Sequence, residues 1–382
     1  MFICDRCGNS DPRYIGYKKN GKPYCRLCLS FNGDLAKPHE IHNDYEVIEE
    51  LNYSLSEDQE KIANGVRDAF INHKDSLIYA VCGAGKTELV YRTIAYALSN
   101  NMQVGFTIPR RDVVIELEPR IKSAFPNAEV TTIYGGHNSK LTGDILLLTC
   151  HQLYRYKNYF DLLIIDETDA FPYKGNTMLY TFFKESIRGN YIMMSATPLE
   201  EMILQIKQNK GAYFELQTRY HKHPLPVPQI KIVPFFKEIF LVKKLKCYKE
   251  KKLPCLVFAP TIKEVDLLFS KINPLVKGGN AVHSKNKNRN QIVLDFKKGK
   301  YDFLITSSIL ERGITLKNLQ VIIYEANDPI FDEPTLIQIA GRVGRKIDAW
   351  DGEVIYLASF TTKAMNTSIM KIKESNTYVK TL

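Results

Sequence analysis

The sequence has no long hydrophobic run, and this excludes a membrane-spanning protein at the outset. Uninterrupted apolar stretches, such as residues 77–81, 162–165 and 192–194, are far short of the roughly 20 residues that a helix needs to cross a bilayer. The first residues hold Cys4 and Cys7 with charged side chains between them instead of a hydrophobic leader, so export by a signal peptide is not expected. We predict a cytoplasmic protein with no intrinsic membrane segment.

Low-complexity tracts and obvious internal repeats are also missing. Apolar residues make up 45% of the chain and charged residues 25%, which is typical of a globular protein and excludes disorder and fibres. A length of 382 residues suits two domains of about 150 residues with an appendage. The net charge of +10 favours a polyanionic partner or an anionic membrane surface, although charge alone selects neither.

Cysteine is concentrated at one end of the chain. Two Cys-x-x-Cys pairs, Cys4 with Cys7 and Cys25 with Cys28, are separated by seventeen residues. This spacing is typical of four thiolates around one tetrahedral Zn²⁺ ion. Two disulfides are the alternative, but they are rare in the reducing compartment expected for a chain without an export signal. The other cysteines have no partner spacing and are predicted to be buried apolar side chains. They are Cys82, Cys150, Cys247 and Cys255.

The predicted zinc segment mixes aromatic and basic side chains. Those between or beside the cysteines are Arg6, Tyr14, Tyr17, Lys18, Lys19, Lys22, Tyr24 and Arg26. Basic residues interleaved with aromatics suit a strand of nucleic acid, through phosphate contacts and base stacking. Small zinc modules also serve as protein docking surfaces, or have a surface that is merely solvated. These interpretations stay open.

From about Leu55, short apolar runs alternate with segments of helical spacing, a pattern that predicts an α/β protein with parallel sheets. The predicted strands are 77–81, 104–108, 145–149, 162–165, 191–194, 255–259, 302–306, 320–324 and 353–357. Three prolines at alternate positions from Pro224 to Pro228 cannot continue a helix or a central strand, so they predict a linker. We predict a zinc-binding module and connector at 1–45, a first domain at 46–220, a Pro-rich linker at 221–230 and a second domain at 231–382.

A phosphate-binding loop is predicted at residues 80–87, Ala-Val-Cys-Gly-Ala-Gly-Lys-Thr, between a strand and a helix. Small residues let successive backbone N–H groups turn inward around phosphates at a helix N-terminus. We expect ATP here, with Lys86 at the β- and γ-phosphates and Thr87 on Mg²⁺. Ala80 stands where the full pattern has Gly. The predicted nucleotide-binding residues of the loop are Gly83, Ala84, Gly85, Lys86 and Thr87.

Two adjacent carboxylates, Asp166 and Glu167, follow an apolar strand. A carboxylate at the end of a strand beside a phosphate loop suits Mg²⁺, so Asp166 is predicted to hold the ion with Thr87. Glu167 is predicted to orient and deprotonate the attacking water. This pair predicts hydrolysis and not only binding.

A third segment with catalytic residue types lies at 338–345, in the second predicted domain. Arg342 and Arg345 are three apart, so on a helix they would face one direction, and a guanidinium pair suits the charge of a transferring phosphoryl group. The alternative is that basic residues near a helix end only oppose the helix dipole.

These segments resemble the motifs of the superfamily 2 helicases in order and approximate spacing. The matching residues are the loop at Lys86, Asp166-Glu167-Thr168-Asp169, Ser195-Ala196-Thr197 and residues 338–345. A four-cysteine module ahead of such a motor, with Asp-Glu-Thr-Asp-Ala-Phe-Pro-Tyr at 166–173, is more narrowly similar to the ComFA family, the ATP-driven DNA translocases of natural transformation. The resemblance implies two tandem RecA-like P-loop domains with parallel sheets, preceded by a small zinc module.

The resemblance also implies roles for single residues. Gln59 would contact the adenine base and Gln338 would act with the arginines in catalysis. The residues that would couple hydrolysis to movement are Ser195, Ala196 and Thr197. The residues that would contact nucleic acid are Arg110, Arg111, Thr149, Thr306 and Ser307. Gly313 lies in a motif that would contact the nucleotide. In the same motif, Thr315 occupies the position where the commonest helicase form has Asp.

We therefore predict an ATP-hydrolysing motor that translocates on single-stranded DNA. By resemblance it would act in the uptake of transforming DNA, docked at the inner face of the cell membrane with other competence proteins, including a membrane DNA channel. One alternative is a DNA or RNA helicase of replication restart or repair. Another, of a different class, is a zinc-dependent nucleic-acid-binding adaptor without ATP turnover, which the joint presence of Glu167, Arg342 and Arg345 disfavours.

Overall fold

The computed structural model describes residues 2–41, 46–51, 53–168, 176–307 and 316–380. The chain forms two units, one of residues 1–80 and 85–216 and the other of residues 81–84 and 217–382. No helix in the described ranges is both long enough and apolar enough to cross a bilayer.

The first unit opens with a small antiparallel hairpin and continues into a parallel sheet. The hairpin strands are β1 (Ile15–Tyr17) and β2 (Pro23–Cys25). The sheet strands are β3 (Ser76–Ala80), β4 (Val104–Ile108), β5 (Val130–Ile133), β6 (Ile145–Thr149), β7 (Phe160–Asp166), β8 (Ile187–Ser195) and β9 (Ala212–Leu216). The helices are α1 (Glu57–Ile71), α2 (Tyr91–Ser99), α3 (Arg111–Ala124), α4 (Thr177–Ser186) and α5 (Glu200–Gln208).

The sheet order in the described part of this unit is β5-β6-β4-β7-β8-β3-β9, and all pairs are parallel. The interior strands are runs of buried aliphatic residues because helices cover both faces of such a sheet. Strand β6, for example, has five buried residues in succession. The carboxyl ends of these parallel strands share one edge of the sheet, where ligands bind in open α/β folds.

The second unit repeats this architecture with different strand connections. Its strands are β10 (Gln229–Ile232), β11 (Cys255–Phe258), β12 (Gly279–Val282), β13 (Phe303–Thr306), β14 (Gln320–Tyr324) and β15 (Val354–Ala358). Its helices are α6 (Lys237–Glu250), α7 (Ile262–Ile272), α8 (Arg289–Lys297), α9 (Glu333–Ala340) and α10 (Lys363–Lys380). The described strands form one parallel sheet in the order β10-β15-β14-β11-β13-β12. The predicted fold class, two parallel α/β domains behind a four-cysteine cluster, is confirmed.

Candidate nucleotide site and metal centre

Three neighbouring strands bring the predicted nucleotide residues to one edge of the first sheet. Strands β7, β8 and β3 are adjacent, with Asp166 opposite Met194 and Ser195 opposite Tyr79. Since Ala80 is the last residue of β3, the phosphate loop starts at the level where Asp166 and Ser195 end their strands. The sheet register therefore collects residues that are far apart in the sequence.

The phosphate loop has the backbone conformation that its glycines permit. Gly83 has φ +85° and Gly85 has φ +77°. Residues that carry a Cβ rarely adopt these backbone angles. Ala80 instead belongs to β3 and pairs with Leu216, so it tolerates a Cβ where the full motif has Gly. The Lys86 Nζ donates a hydrogen bond of 3.2 Å to the Ala80 carbonyl, which places the lysine across its own loop.

Gln59 lies against this loop and is held there by a helix cap. Its backbone N–H donates to the Ser56 hydroxyl at 3.3 Å, while its Oε1 accepts from the Ser56 backbone N–H at 2.9 Å. This capping box satisfies two N–H groups at the start of α1. An added Cβ on Gly85 would lie 2.6 Å from Gln59 Nε2, so only glycine allows this approach. The predicted adenine-reading residue thus packs beside the phosphate loop.

Glu167 is fixed in a conformation that is uncommon outside glycine. It has φ +62°, and its backbone N–H donates to the Met194 carbonyl at 3.0 Å and to Asp166 Oδ1 at 2.9 Å. Left-handed backbone at a non-glycine residue is concentrated at functional sites, where the surrounding structure maintains it. The strand end therefore turns sharply at the two predicted catalytic carboxylates. Residues 169–173 of the resembling motif lie outside the described residues.

The predicted coupling residues end the adjacent strand. Ser195 and Ala196 are buried, and the Thr197 backbone N–H donates to the Ser195 hydroxyl at 2.9 Å. The hydroxyl therefore stabilises the turn that leaves β8. Because Ser195 and Asp166 end neighbouring strands, a movement of this turn would change the position of the carboxylate pair.

The second unit holds Gln338 on α9, but the expected placement of Arg342 and Arg345 on one helix is wrong. Helix α9 ends at Ala340, and Arg342 lies in the turn that follows. Arg345 is beyond this turn, where its Nε donates to the Gly341 carbonyl at 2.9 Å. After Ala340 the helical pattern gives way to tighter turns, in which the N–H groups of Arg342 and Val343 donate to the carbonyls of Ile339 and Ala340 three residues earlier. Loop structure and not helical spacing positions these arginines.

A buried arginine that the sequence analysis did not single out supports this loop. Arg219 is 1% exposed, and its guanidinium donates to the carbonyls of Val343 at 3.0 Å, Gly344 at 2.6 Å and Gly341 at 3.2 Å. Burial, followed by the nearby charge of Arg345, lowers the pKa of Arg219 to about 10, so it stays charged at neutral pH. A charged donor on several carbonyls fixes a helix end strongly.

His221 adds a second contact to the same loop. Its Nε2 lies 3.1 Å from the Gly344 carbonyl, and its Nδ1 accepts from the His223 backbone N–H at 3.1 Å. Burial and the neighbouring Arg219 charge lower the pKa of His221 to about 4. The ring is therefore neutral at pH 7, and this hydrogen-bond pattern assigns its proton to Nε2. No motif signal marked Arg219 or His221, since single residues beside a proline linker have no diagnostic spacing.

The predicted nucleic-acid residues of the first unit follow β4 and β6. Arg110 precedes α3, and Arg111 begins it with its guanidinium 4.7 Å from the centre of the Tyr134 ring. Thr149 is the last residue of β6 and is buried. Because β4 and β6 are neighbours, these residues follow two adjacent strands at one sheet edge.

The corresponding residues of the second unit are less accessible than expected. Thr306 has no exposed surface, and Ser307 is also buried. The Thr306 hydroxyl donates to the Ser307 carbonyl at 3.1 Å, which weighs against a direct contact of this side chain with nucleic acid. Gly313 and Thr315 lie outside the described residues.

The four N-terminal thiols converge as the cysteine spacing predicts. The sulfur atoms of Cys4, Cys7, Cys25 and Cys28 all lie within 4.8 Å of one another. Two pairs, Cys4 with Cys28 and Cys7 with Cys25, are 3.6 Å apart. A tetrahedral zinc ion with Zn–S distances of about 2.3 Å separates its sulfurs by about 3.8 Å, so the cluster fits this metal.

The disulfide alternative is wrong. All eight cysteines lie in the described ranges, and all eight are free thiols. Cys82, Cys150 and Cys255 are buried as predicted, whereas Cys247 is only half-buried.

The four-cysteine module packs on the rest of the first unit through one aromatic residue and a backbone segment. Phe31 stacks on His151 with ring centres 6.2 Å apart, and meets the Phe182 ring edge to face at 5.2 Å. The Gly33 N–H donates to the Tyr154 hydroxyl at 3.1 Å. Arg155 donates to the Asp34 carbonyl, and its own carbonyl accepts from the Ala36 N–H. The module thus rests on the segment that directly follows Thr149.

Two helicase family models match the chain. The model described as "Type III restriction enzyme, res subunit" covers residues 52–200, and "Helicase conserved C-terminal domain" covers residues 237–346. Among solved structures, Saccharomyces cerevisiae Dbp5 bound to RNA and ADP BeF3 is similar with a TM-score of 0.63 at 15% identity, over 85% of this chain and 92% of that one. Mycobacterium smegmatis helicase Lhr bound to ssDNA and AMP-PNP has a TM-score of 0.61 at 16% identity, over 84% and 50%. The chain is a superfamily 2 helicase-type ATPase.

Two curated proteins match nearly the full chain. The competence protein ComFA of Bacillus subtilis is 34% identical over 98% of this chain and 86% of its own length. The competence protein ComFA of Streptococcus pneumoniae is 32% identical over 98% of this chain and 90% of its own length. A match over 98% of the chain spans both helicase domains and extends into the four-cysteine segment. The chain therefore belongs to the ComFA family.

Proposed function

We propose that this protein hydrolyses ATP to translocate along single-stranded DNA, and that it serves the uptake of transforming DNA in natural competence. The observation that carries this proposal is the edge of the first sheet, where the phosphate loop with Lys86 and Thr87 starts beside Asp166 and Glu167. A phosphate loop with a carboxylate pair is equipped for hydrolysis. The ComFA relatives supply the competence context.

In the proposed reaction a water attacks the γ-phosphorus of ATP, the bond to the ADP oxygen breaks, and phosphate leaves. Glu167 orients the water and accepts its proton. Lys86 binds the β- and γ-phosphates, while Arg342 and Arg345 stabilise the charge on the transferring group. When bound, Mg²⁺ would neutralise part of the charge on the phosphates, and Thr87 and Asp166 would hold it.

Movement would follow from the turn at Ser195, Ala196 and Thr197, which ends the strand next to Asp166. We expect the strand of DNA to contact Arg110 and Arg111 by their charge, beside Thr149. The four thiols would bind Zn²⁺, which stabilises a module with too small an apolar core to fold without it.

The cellular setting is part of the proposal. Other competence proteins, including a membrane DNA channel, would be partners of the motor at the inner face of the membrane, as the family relationship suggests. The residue ranges predicted for the module, the two domains and the linker also stay a prediction.

The substrate is tested by ATP turnover in the presence of single-stranded DNA, duplex DNA or RNA of matched sequence. We expect single-stranded DNA to give the strongest stimulation, because a translocase hydrolyses ATP productively only on its track. Stronger stimulation by RNA or by duplex would contradict the proposal and favour a helicase of repair or RNA metabolism. An unstimulated but active ATPase would remove the motor interpretation.

A further inference from the structure

The charged side chains of the hairpin in the four-cysteine module are all basic. Residues 12–33 contain five basic side chains and no acidic one, whereas the whole chain has 52 basic against 42 acidic residues. Arg13 pairs with Asp11. Lys18, Lys19 and Lys22 are exposed, and among the described residues they have no carboxylate partner. Three uncompensated charges within five residues form a site for a polyanion.

Exposed aromatic rings lie beside these lysines. Tyr17 is 70% exposed and Tyr14 is 42% exposed, although burial of such large rings is normally favourable. Tyr24 instead covers Gly16, whose added Cβ would lie 2.5 Å from its ring. An exposed ring next to uncompensated lysines matches the two needs of single-stranded nucleic acid, a surface for a base to stack on and charge for its phosphates.

The hairpin has a hydrogen-bonded turn at one end and a clustered cysteine at the other. Lys18 and Lys22 close its turn, with the Lys18 N–H donating to the Lys22 carbonyl at 2.9 Å, and Gly21 takes φ +75°. Its second strand ends at Cys25, one of the four clustered thiols. A short hairpin with a closed turn, whose base carries one of the four clustered thiols, loses little conformational entropy when it binds a ligand.

The hairpin is also part of the same unit as the predicted strand-contacting residues. Phe31, Gly33 and Asp34 connect the module to residues 151–155, directly after Thr149. An added Cβ on Gly33 would lie 2.4 Å from an Arg155 nitrogen, so the contact is close. A DNA strand that contacts Thr149 therefore contacts the same domain to which the hairpin is attached.

A second basic stretch, in the other unit, lacks an exposed aromatic ring. Residues 243–252 of the second unit contain six lysines and one glutamate, but their aromatic residue, Tyr248, is buried. This stretch offers charge without a stacking surface. It is a matched control for the hairpin.

We propose that the hairpin around Tyr17, Lys18, Lys19 and Lys22 is a binding site for single-stranded DNA, in which the lysines contact phosphates and Tyr17 stacks on a base. The proposal rests on the proposed function and adds a second DNA contact outside the helicase motifs.

The lysines are tested with the triple variant K18A/K19A/K22A and the control triple K243A/K246A/K251A, which removes the same charge from exposed positions. The binding of a fluorescent oligothymidylate is measured by anisotropy between about 50 and 200 mM salt, where a single strand contributes about 0.7 to the log–log slope per phosphate contact. We expect the hairpin triple to bind at least about tenfold more weakly at 0.1 M salt, with a slope shallower by about 2. The control triple should keep the wild-type slope, and a metal content of one zinc per chain confirms folding of the module.

The stacking is tested with Tyr17→Ala and Tyr17→Phe. We expect Tyr17→Ala to weaken binding roughly tenfold with no change in slope, and Tyr17→Phe to bind as the wild type does, because only the ring stacks.

Three results would overturn the inference. The hairpin triple could keep wild-type affinity and slope, the control triple could lose as much as the hairpin triple, or the hairpin lysines could be needed only for vesicles containing phosphatidylserine and not for DNA. Each of these leaves the motor function intact. A wild-type protein that does not bind the oligothymidylate would overturn the proposed function and this inference together.

Discussion

Replacing Arg342 with Ala is expected to slow ATP hydrolysis by about 10³- to 10⁵-fold, the effect typical of an arginine that stabilises a transferring phosphoryl group. The loop at residues 341–345 should keep its conformation in Arg342→Ala. Arg219 holds it through the backbone carbonyls of Gly341, Val343 and Gly344, and these bonds do not involve the Arg342 side chain. The measurement is the maximal rate of ATP turnover with saturating single-stranded DNA.

The control for Arg342 is Lys346→Ala, which removes a positive charge from an exposed position four residues later. This variant should hydrolyse ATP at the wild-type rate. Arg342→Lys should not restore the activity, because an ammonium lacks the planar two-pronged donor geometry of a guanidinium. A rate close to that of the wild type in Arg342→Ala would show that this residue only closes the helix end.

Replacing Glu167 with Gln is expected to lower the rate of hydrolysis by about 10²- to 10⁴-fold, which is the usual contribution of a general base. Gln keeps the shape of Glu but cannot accept the proton of the attacking water. The backbone should stay in place because the Glu167 N–H is bound to Met194 and Asp166 independently of its own side-chain charge. ATP affinity, measured with a fluorescent analogue, should therefore change little.

The matched control for Glu167 is Glu200→Gln, an exposed carboxylate in the first turn of α5. It should leave turnover unchanged. If Glu167→Gln hydrolysed ATP as fast as the wild type, the assignment of the base would be wrong. Absence of turnover in both the wild type and this variant would instead favour the zinc-dependent adaptor.

The strands that sequence analysis identified are the interior ones. Each predicted strand lies at an interior position of one of the two parallel sheets, and the described strands of these sheets that were not predicted are the edges, β5, β9, β10 and β12. Edge strands pair on one side only. Strands β9, β10 and β12 are mostly not buried, while β5 is buried but has two threonines at its centre. In β10, for example, no residue is fully buried. Their residues therefore lack the apolar runs by which a buried strand is recognised.

The local geometry was predictable where a motif consists of neighbouring residues. The four thiols converge as their spacing predicts, and Asp166 ends a strand as its motif predicts, while the roles of the phosphate-loop and carboxylate residues stay predictions. Their mutual position depends on strand order, which no local pattern contains.

The supporting contacts were not predictable, because each involves residues that are distant in sequence and unremarkable by type. Arg219 binds carbonyls more than a hundred residues away, and Arg155 binds the connector that leaves the zinc module. The placement of Arg342 failed for a related reason. Helical spacing was extended past Ala340, whereas the helix ends there and the following residues form turns whose carbonyls Arg219 binds.

The central claim is that ATP hydrolysis moves this protein along single-stranded DNA. It is tested most directly by the release of streptavidin from a biotin at one end of a single-stranded oligonucleotide. We predict ATP-dependent release by the wild type and none by Glu167→Gln, although that variant should still bind the DNA. A wild-type protein that hydrolyses ATP on the same oligonucleotide and never displaces the streptavidin from either end would contradict the account.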